Sequence, residues 1–344
     1  MKNKIRLFIL PCDTCNMLFY ERIIKMRIIA DSSANLIKPE KTDFVSVPMK
    51  VIISDQECSD TPSLDVENMM QAMENTKEKT STACPGIGEW LEAFGEEEEL
   101  LVFTLTGTLS GCYNAAVIAS QQYLEEHPER KVSVIDTLST GPEMELLVEK
   151  CAALAEAGAS YEEVCDAAKN YSSETGLLFM LATLDNFARN GRVSPALAKL
   201  IGVLNIHIVG RASDAGELEP LHKCRGEKKS IDRLWKEMLE EGYRGGKVRI
   251  RHTDNKAAAK SLIRLIVNEY PDADIRAGSN RGLCSYYAER GGILVGFEKE
   301  PAVGTAEENR ETVPKESKNI LQESKKKLLG AKSILSKEFH VRKQ

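Results

Sequence analysis

Apolar and polar positions along the chain fall into a repeated strand, turn, helix order. Met26–Ala30 is a short apolar run that ends in Asp31-Ser-Ser, which reads as a buried strand entering a helix-capping turn. Asp43–Ile53 is strand-like, Leu64–Asn75 is helical with Met69, Met70 and Met73 as core positions, Thr80–Gly86 reads as a turn, and Ile87–Phe94 starts a helix. Glu96–Glu99 is a solvated acidic loop. Leu100–Leu105, the turn Thr106–Gly111 and the helix Cys112–Glu126 repeat the motif. Lys131–Ile135 and its turn Asp136–Gly141 repeat it again, before helices over Glu143–Ala155 and Tyr161–Asn170. That alternation predicts a parallel sheet with right-handed crossovers.

Beyond about residue 176 the texture changes. Leu177–Leu181 is strand-like, and Asn186–Ile201 is helical with an interruption at Gly191-Arg192. Ile206–Gly210 and Leu218–Lys223 form a hairpin around Asp214-Ala-Gly216. A helix (Lys228–Glu241), a strand (Lys247–Arg251), a helix (Lys256–Tyr270) and strands at Asp274–Ala277 and Gly292–Phe297 complete a second α/β unit of mixed strand direction. The expected division is an atypical extension at 1–25, an N-terminal α/β domain at 26–176, a C-terminal α/β domain at 177–297 and a charged tail at 298–344. The working domain is expected to begin at Met26, with residues 1–25 appended or mis-started.

Composition narrows the class. The chain has 344 residues, 42% hydrophobic and 28% charged, so it can bury a full core. Its net charge of −6 argues against a broad nucleic-acid-binding face. Residues 315–344 carry nine basic and three acidic groups, and Leu321, Leu328 and Leu335 recur every seven residues. A solvated tail is the plainer expectation; transient contact with an anionic membrane through a basic amphipathic helix is the other. Nine cysteines and no secretory pattern point to a reducing, cytoplasmic setting. Cys12 and Cys15 form a Cys-x-x-Cys pair without a second pair at metal-ligand spacing, so they read as incidental.

Candidate chemistry lies in four hydroxyl-rich turns: Asp31-Ser32-Ser-Ala-Asn35, Thr80-Ser81-Thr82, Thr106-Gly107-Thr-Leu-Ser110-Gly111 and Asp136-Thr-Leu-Ser-Thr-Gly141. At the carboxyl edge of a parallel sheet such turns line the ligand crevice, and helix N-termini there favour anions. Each turn is also an ordinary set of helix caps. No G-x-S-x-G elbow, P-loop or G-x-G-x-x-G follows a strand, and the five histidines form no metal pair. His252 reads as a capping or packing residue. The pattern favours binding over catalysis, with no catalytic residue, metal or cofactor expected. An enzyme acting on a small phosphorylated or carboxylated substrate is the alternative.

The motifs M-R-I-I-A-D-S-S, K-T-S-x-x-x-P-G (Lys79–Gly86), L-S-G-x-Y (Leu109–Tyr113), I-D-T (Ile135–Thr137), N-G-R-V (Asn190–Val193) and the basic stretch Cys224–Lys229 resemble the DegV family of bacterial fatty-acid-binding proteins, in order over about 26–297. The resemblance implies a two-domain DegV-like (EDD-type) fold, with an N-terminal parallel α/β sheet plus a second mixed-sheet α/β domain. It implies one long-chain fatty acid between the domains, its carboxylate near Thr80, Ser81 and Thr106 with Ser110 close by. Asp31, Ser32, Gly107 and Asp136 complete the expected binding set. It further implies a carrier that presents the carboxylate to a separate fatty acid kinase for acyl phosphate formation and phospholipid synthesis, with Arg192, Arg225, Lys228 and Lys229 facing the kinase or the phosphate.

The chain departs from the family pattern at Ala83 and Cys84. It departs again at Tyr287-Ala-Glu-Arg-Gly291, where Tyr287 takes a histidine position and Glu289 a glycine position. A carboxylate added there would repel an acyl phosphate. A family member that has lost phosphoryl handoff is therefore a third reading.

Overall fold

The computed structural model describes residues 26–36, 42–194 and 205–300. Strands are numbered along the chain. The first sheet holds β1 (Met26–Asp31), β2 (Asp43–Val47), β6 (Glu99–Thr104) and β7 (Lys131–Asp136) in the order β2-β1-β6-β7, all parallel. Its strands are apolar on both faces. Ile28, Ala30, Leu101 and Phe103 pack on one side against α4 (Gly141–Glu156) and α5 (Tyr161–Tyr171). Ile29, Leu100 and Val102 pack on the other against α2 (Ile87–Phe94) and α3 (Cys112–Glu126). Burial of both faces is what a parallel sheet requires, since its crossovers cover both sides.

The second sheet has six strands in the order β10-β9-β8-β13-β11-β12, from β8 (Thr175–Leu181), β9 (Ile206–Ala212), β10 (Leu218–Arg225), β11 (Val248–His252), β12 (Ile275–Ser279) and β13 (Ile293–Glu298). Only β11 and β12 pair in parallel. Along β8, Leu178 and Met180 face the core under α7 (Glu227–Glu240) and α8 (Lys256–Glu269), while Leu177, Phe179 and Leu181 face the opposite way. Helix α4 contacts both β1 and β13 and is buried from Gly141 to Val148. A Cβ on Gly296 would stand 2.4 Å from the Pro142 carbonyl, so glycine permits that approach. The described residues belong to one compact unit. The expected boundary after residue 176 falls within β8.

Two sequence expectations are corrected. Asp43–Ile53 is not one strand: it leaves the parallel sheet at Pro48-Met49 and resumes as β3 (Lys50–Ile53) in a separate three-stranded antiparallel sheet. Proline has no N–H with which to continue the ladder. Thr80–Gly86 is not simply a turn, because Thr80–Ala83 is β5 and pairs with β3, whose other partner is β4 (Gln56–Ser59). Threonine suits a strand as well as a cap, and the neighbouring strand decided which. Helix α1 (Val66–Asn75), α6 (Asp185–Arg189) and α9 (Gly282–Ala288) complete the described helices. Met69 and Met70 are buried in the core beside α9, with Met73 packed at its edge. The expected helix beyond Ser194, the Cys12–Cys15 pair and the basic tail lie outside the described residues.

Candidate functional site

Three of the four hydroxyl-rich turns end parallel strands, and much of their polar chemistry is spent on the fold itself. Asp31 is fully buried and accepts hydrogen bonds from Ser33 N (2.9 Å), Leu105 N (2.6 Å) and Cys112 Sγ (3.5 Å). Burial raises its pKa, and those bonds partly oppose the rise. Ser32 Oγ donates to Asp60 (2.9 Å) and accepts from Met49 N (3.0 Å). Asp136 accepts from Gly107 N (3.1 Å) and Leu138 N (3.0 Å), and a Cβ on Gly107 would lie 2.7 Å from its carboxylate. Asp31, Ser32, Gly107 and Asp136 therefore brace the sheet edge and do not line the cavity beside it.

That cavity opens onto solvent, and the atom-free space in it and at its mouth comes to about 850 Å³. One wall is the free face of the second sheet: Leu177, Phe179 and Leu181 of β8 with Leu294 of β13. The facing wall comes from the turns after β6 and β7, with Leu105, Leu109 and Leu138. Leu283, Cys284 and Ala288 of α9 close a third side. The tip of the β9–β10 hairpin is fastened across the space. Thr106 Oγ1 donates to Gly216 O (2.9 Å) and Thr108 Oγ1 to Ala215 O (2.7 Å). Gly216 has φ +75°, and a Cβ there would lie 2.2 Å from Thr106 Oγ1. Thr106 lines the cavity, but its hydroxyl serves this latch.

A polar cluster stands within the apolar lining. Thr82 Oγ1 and Tyr287 Oη are 2.8 Å apart. Ser110 Oγ accepts from Cys112 N (3.2 Å), which leaves its own hydrogen to donate. Arg192 donates through Nε to Leu109 O (3.2 Å) and through Nη1 to Asn190 O, and no described carboxylate pairs with it. Burial raises the Tyr287 pKa, while the Thr82 hydrogen bond and the Arg192 charge pull it back. All four residues line the cavity. One of Thr82 and Tyr287 spends its hydrogen on the other, so two hydroxyl hydrogens and the guanidinium remain, a donor set that suits a carboxylate.

Of the expected binding residues, Thr106 and Ser110 line the cavity, and Arg192, expected to face the kinase or the phosphate, lines it as well. Thr80 is buried against Tyr286 Oη (2.8 Å) and Ser81 is half-buried, neither in the lining. Arg225 ends β10, and Lys228 and Lys229 stand on the first turn of α7. All three are exposed and none lines the cavity. Thr82 and Tyr287 were not among the expected residues. Reading T-S-T as a strand would have found Thr82, because Thr80 and Thr82 share a face and meet Tyr286 and Tyr287 in turn. Asn255 caps α8, and His252 Nδ1 accepts from its N–H (3.3 Å).

Glu289 accepts from Asn186 N (3.2 Å) and is absent from the lining. Its backbone has φ 54° and ψ 173°, a region that suits glycine. Burial pushes its carboxyl from 4.5 up to about 7. The folded chain therefore holds this proton more tightly than the unfolded chain. The resulting stability is fully present below about pH 4.5 and is lost as pH rises through about 7. Glu289→Gly is expected to gain about 1–3 kcal/mol from relieved strain and to lose that part of the pH dependence. Glu289→Gln should lose the titration and keep the strain. Urea midpoints across pH check both, and a Gly variant no more stable than the Gln variant overturns the strain argument.

Among the described residues no group of three or more His, Cys, Asp or Glu is placed to hold a metal ion, and no helix is long and apolar enough to cross a membrane. The chain is 44% identical over 276 residues to a DegV domain-containing protein of Streptococcus pneumoniae strain R6, covering 79% of this chain and 98% of that one. A structure of the Streptococcus pneumoniae Fatty Acid Kinase (Fak) B3 protein loaded with linoleic acid superposes with TM-score 0.79 at 42% identity, over 80% of this chain and 100% of that one. A DegV family protein from Eubacterium eligens loaded with heptadecanoic acid gives TM-score 0.78 at 42% identity, with the same coverage. Residues 25–300 match the family model described as "Uncharacterised protein, DegV family". With a parallel sheet, a mixed sheet and an apolar cavity flanked by both, this chain belongs to the DegV family.

Proposed function

We propose that the protein binds one long-chain fatty acid in this cavity and carries it, with the carboxylate at Thr82, Ser110, Tyr287 and Arg192, to a separate fatty acid kinase. The observation that carries the reading is a cavity walled by leucines and phenylalanine, with an arginine lacking a described carboxylate partner beside three hydroxyls. The similar structures loaded with linoleic and heptadecanoic acid support it. Seven described cysteines, all free, fit the cytoplasmic setting that such a carrier would share with its kinase.

Each buried methylene contributes about 0.8 kcal/mol, so a chain of ~14–18 carbons supplies roughly 10 kcal/mol before entropy losses. Hydrogen bonds to the carboxylate add about 1.5–3 kcal/mol each, largely offset by its desolvation. The hydrocarbon sets affinity and the polar cluster sets orientation. Arg225, Lys228 and Lys229, exposed near the hairpin, are the cations proposed to meet the partner.

Mass spectrometry of gently purified protein tests the carrier reading, with a co-purified long-chain acid expected. An empty protein that takes up no acid when offered one overturns it. Arg192→Met is expected to weaken fatty acid binding by about tenfold and to leave binding of the methyl ester unchanged. Equal weakening of acid and ester would remove Arg192 from the carboxylate. Acyl phosphate formation with ATP and a purified fatty acid kinase tests the handoff separately.

A further inference from the structure

Resting on the acyl-binding reading, we propose that Phe179, seated against Gly210, sets the width of the cavity at mid-chain and so decides whether a chain bent by a cis double bond is accepted. Leu181, Phe179 and Leu177 face the cavity in succession along β8. Leu181 marks the end nearer the polar cluster, because the start of β13, which follows the helix carrying Tyr287, pairs with that end of β8 (Ile293 opposite Met180). Phe179 stands two residues before it in the chain, about 7 Å back along the strand. There the wall meets the middle of an acyl chain rather than its head.

At that level Phe179 lies opposite Gly210 in β9 on one side and Leu294 in β13 on the other. A Cβ on Gly210 would lie 2.4 Å from Phe179 Cζ and 2.7 Å from Cε2. The phenyl ring therefore fills the place that a side chain at 210 would take. With any other residue at 210 the ring must move, and the open space available to it is the cavity. Glycine thus keeps the ring drawn back against β9 and the cavity broad at this point. A straight saturated chain needs little width. A chain bent at mid-length needs more, and close-packed interiors discriminate at the scale of one methylene.

The test uses the full chain and an equimolar mixture of stearic and oleic acids, which have the same carbon count and differ in one cis double bond. Bound acids are read by native mass spectrometry. Phe179→Leu removes the ring and is expected to raise the oleate-to-stearate ratio by about fourfold, the weight of one buried methylene. Gly210→Ala drives the ring inward and is expected to lower the ratio by a similar factor. Gly210→Ala also presses on the Glu219 carbonyl of β10, 2.4 Å from the new Cβ, so folding is followed by thermal unfolding. If that chain does not fold, Phe179→Leu decides alone. A folded Phe179→Leu protein with an unchanged or lowered ratio overturns the proposal and leaves the carrier reading intact. A wild-type protein that takes up neither acid overturns both.

Discussion

Asp60→Ala is expected to cost about 3–5 kcal/mol of folding stability and to abolish retention of a fatty acid. Asp60 is 1% exposed. Its carboxylate accepts from Ser32 Oγ (2.9 Å), Gly282 N (3.0 Å), Leu283 N (3.1 Å) and Arg281 Nη2 (3.2 Å). One side chain thus ties the end of β1 to the first turn of α9. Alanine would strand two buried N–H groups and a buried hydroxyl, each costing about 1–3 kcal/mol when unmet. Arg281 would keep its bonds to the Asp60 and Thr61 carbonyls. The functional loss follows because α9 carries Leu283, Cys284, Tyr287 and Ala288 to the cavity. Asp60→Asn keeps the shape and one acceptor oxygen, so it should fall between the two. Urea midpoints and bound acid in the same preparations check this; a loss under about 1 kcal/mol for the alanine variant contradicts it.

Glu149→Ala is expected to destabilise by about 3–5 kcal/mol, more than Arg249→Met. The Arg249 side chain is 1% exposed and donates to Glu149 through Nε (3.0 Å) and Nη2 (2.5 Å), with Asp274 at 3.3 Å. Glu149 lies on α4 and Arg249 on β11, so the pair fastens the interior helix to the second sheet. Removing the carboxylate leaves a buried guanidinium with only half-exposed Asp274 for compensation. Removing the guanidinium leaves Glu149 paired with Arg276 at 3.0 Å, near solvent. Introducing Arg249→Met into Glu149→Ala should therefore recover part of the lost stability. A double variant as unstable as the sum of the singles would refute the stranded-charge account.

The elements that read well from sequence share a property. Cys112–Glu126 was expected as a helix and is α3 with those same ends, and Ile87–Phe94 is α2. Their boundaries carry local punctuation: Gly86 and Gly111 before, Gly95 and His127-Pro128 after. The misread segments depend on distant partners. Asp43–Ile53 looked continuous because proline interrupts a strand only if its N–H would have met a neighbour. Helix α9 was not expected, since its seven residues start under Asp60, more than two hundred positions earlier. The site shows the same division. Thr106, Ser110 and Arg192 could be picked from strand ends and a motif, whereas Thr82 and Tyr287 join the lining through a hydrogen bond that spans most of the chain.

Sequence alone determined the class of protein. Strands apolar on both faces must be covered by crossover helices, and polar turns at their carboxyl ends must gather at one edge. Only the tertiary structure decided which of those polar groups remain available. Asp31, Ser32 and Asp136 have the same local pattern as ligand-binding residues, yet they are consumed by backbone amides and a carboxylate from other segments. Whether a side chain caps, braces or faces an open cavity depends on what long-range packing places within about 3 Å of it, and neighbouring residues in sequence do not encode that distance.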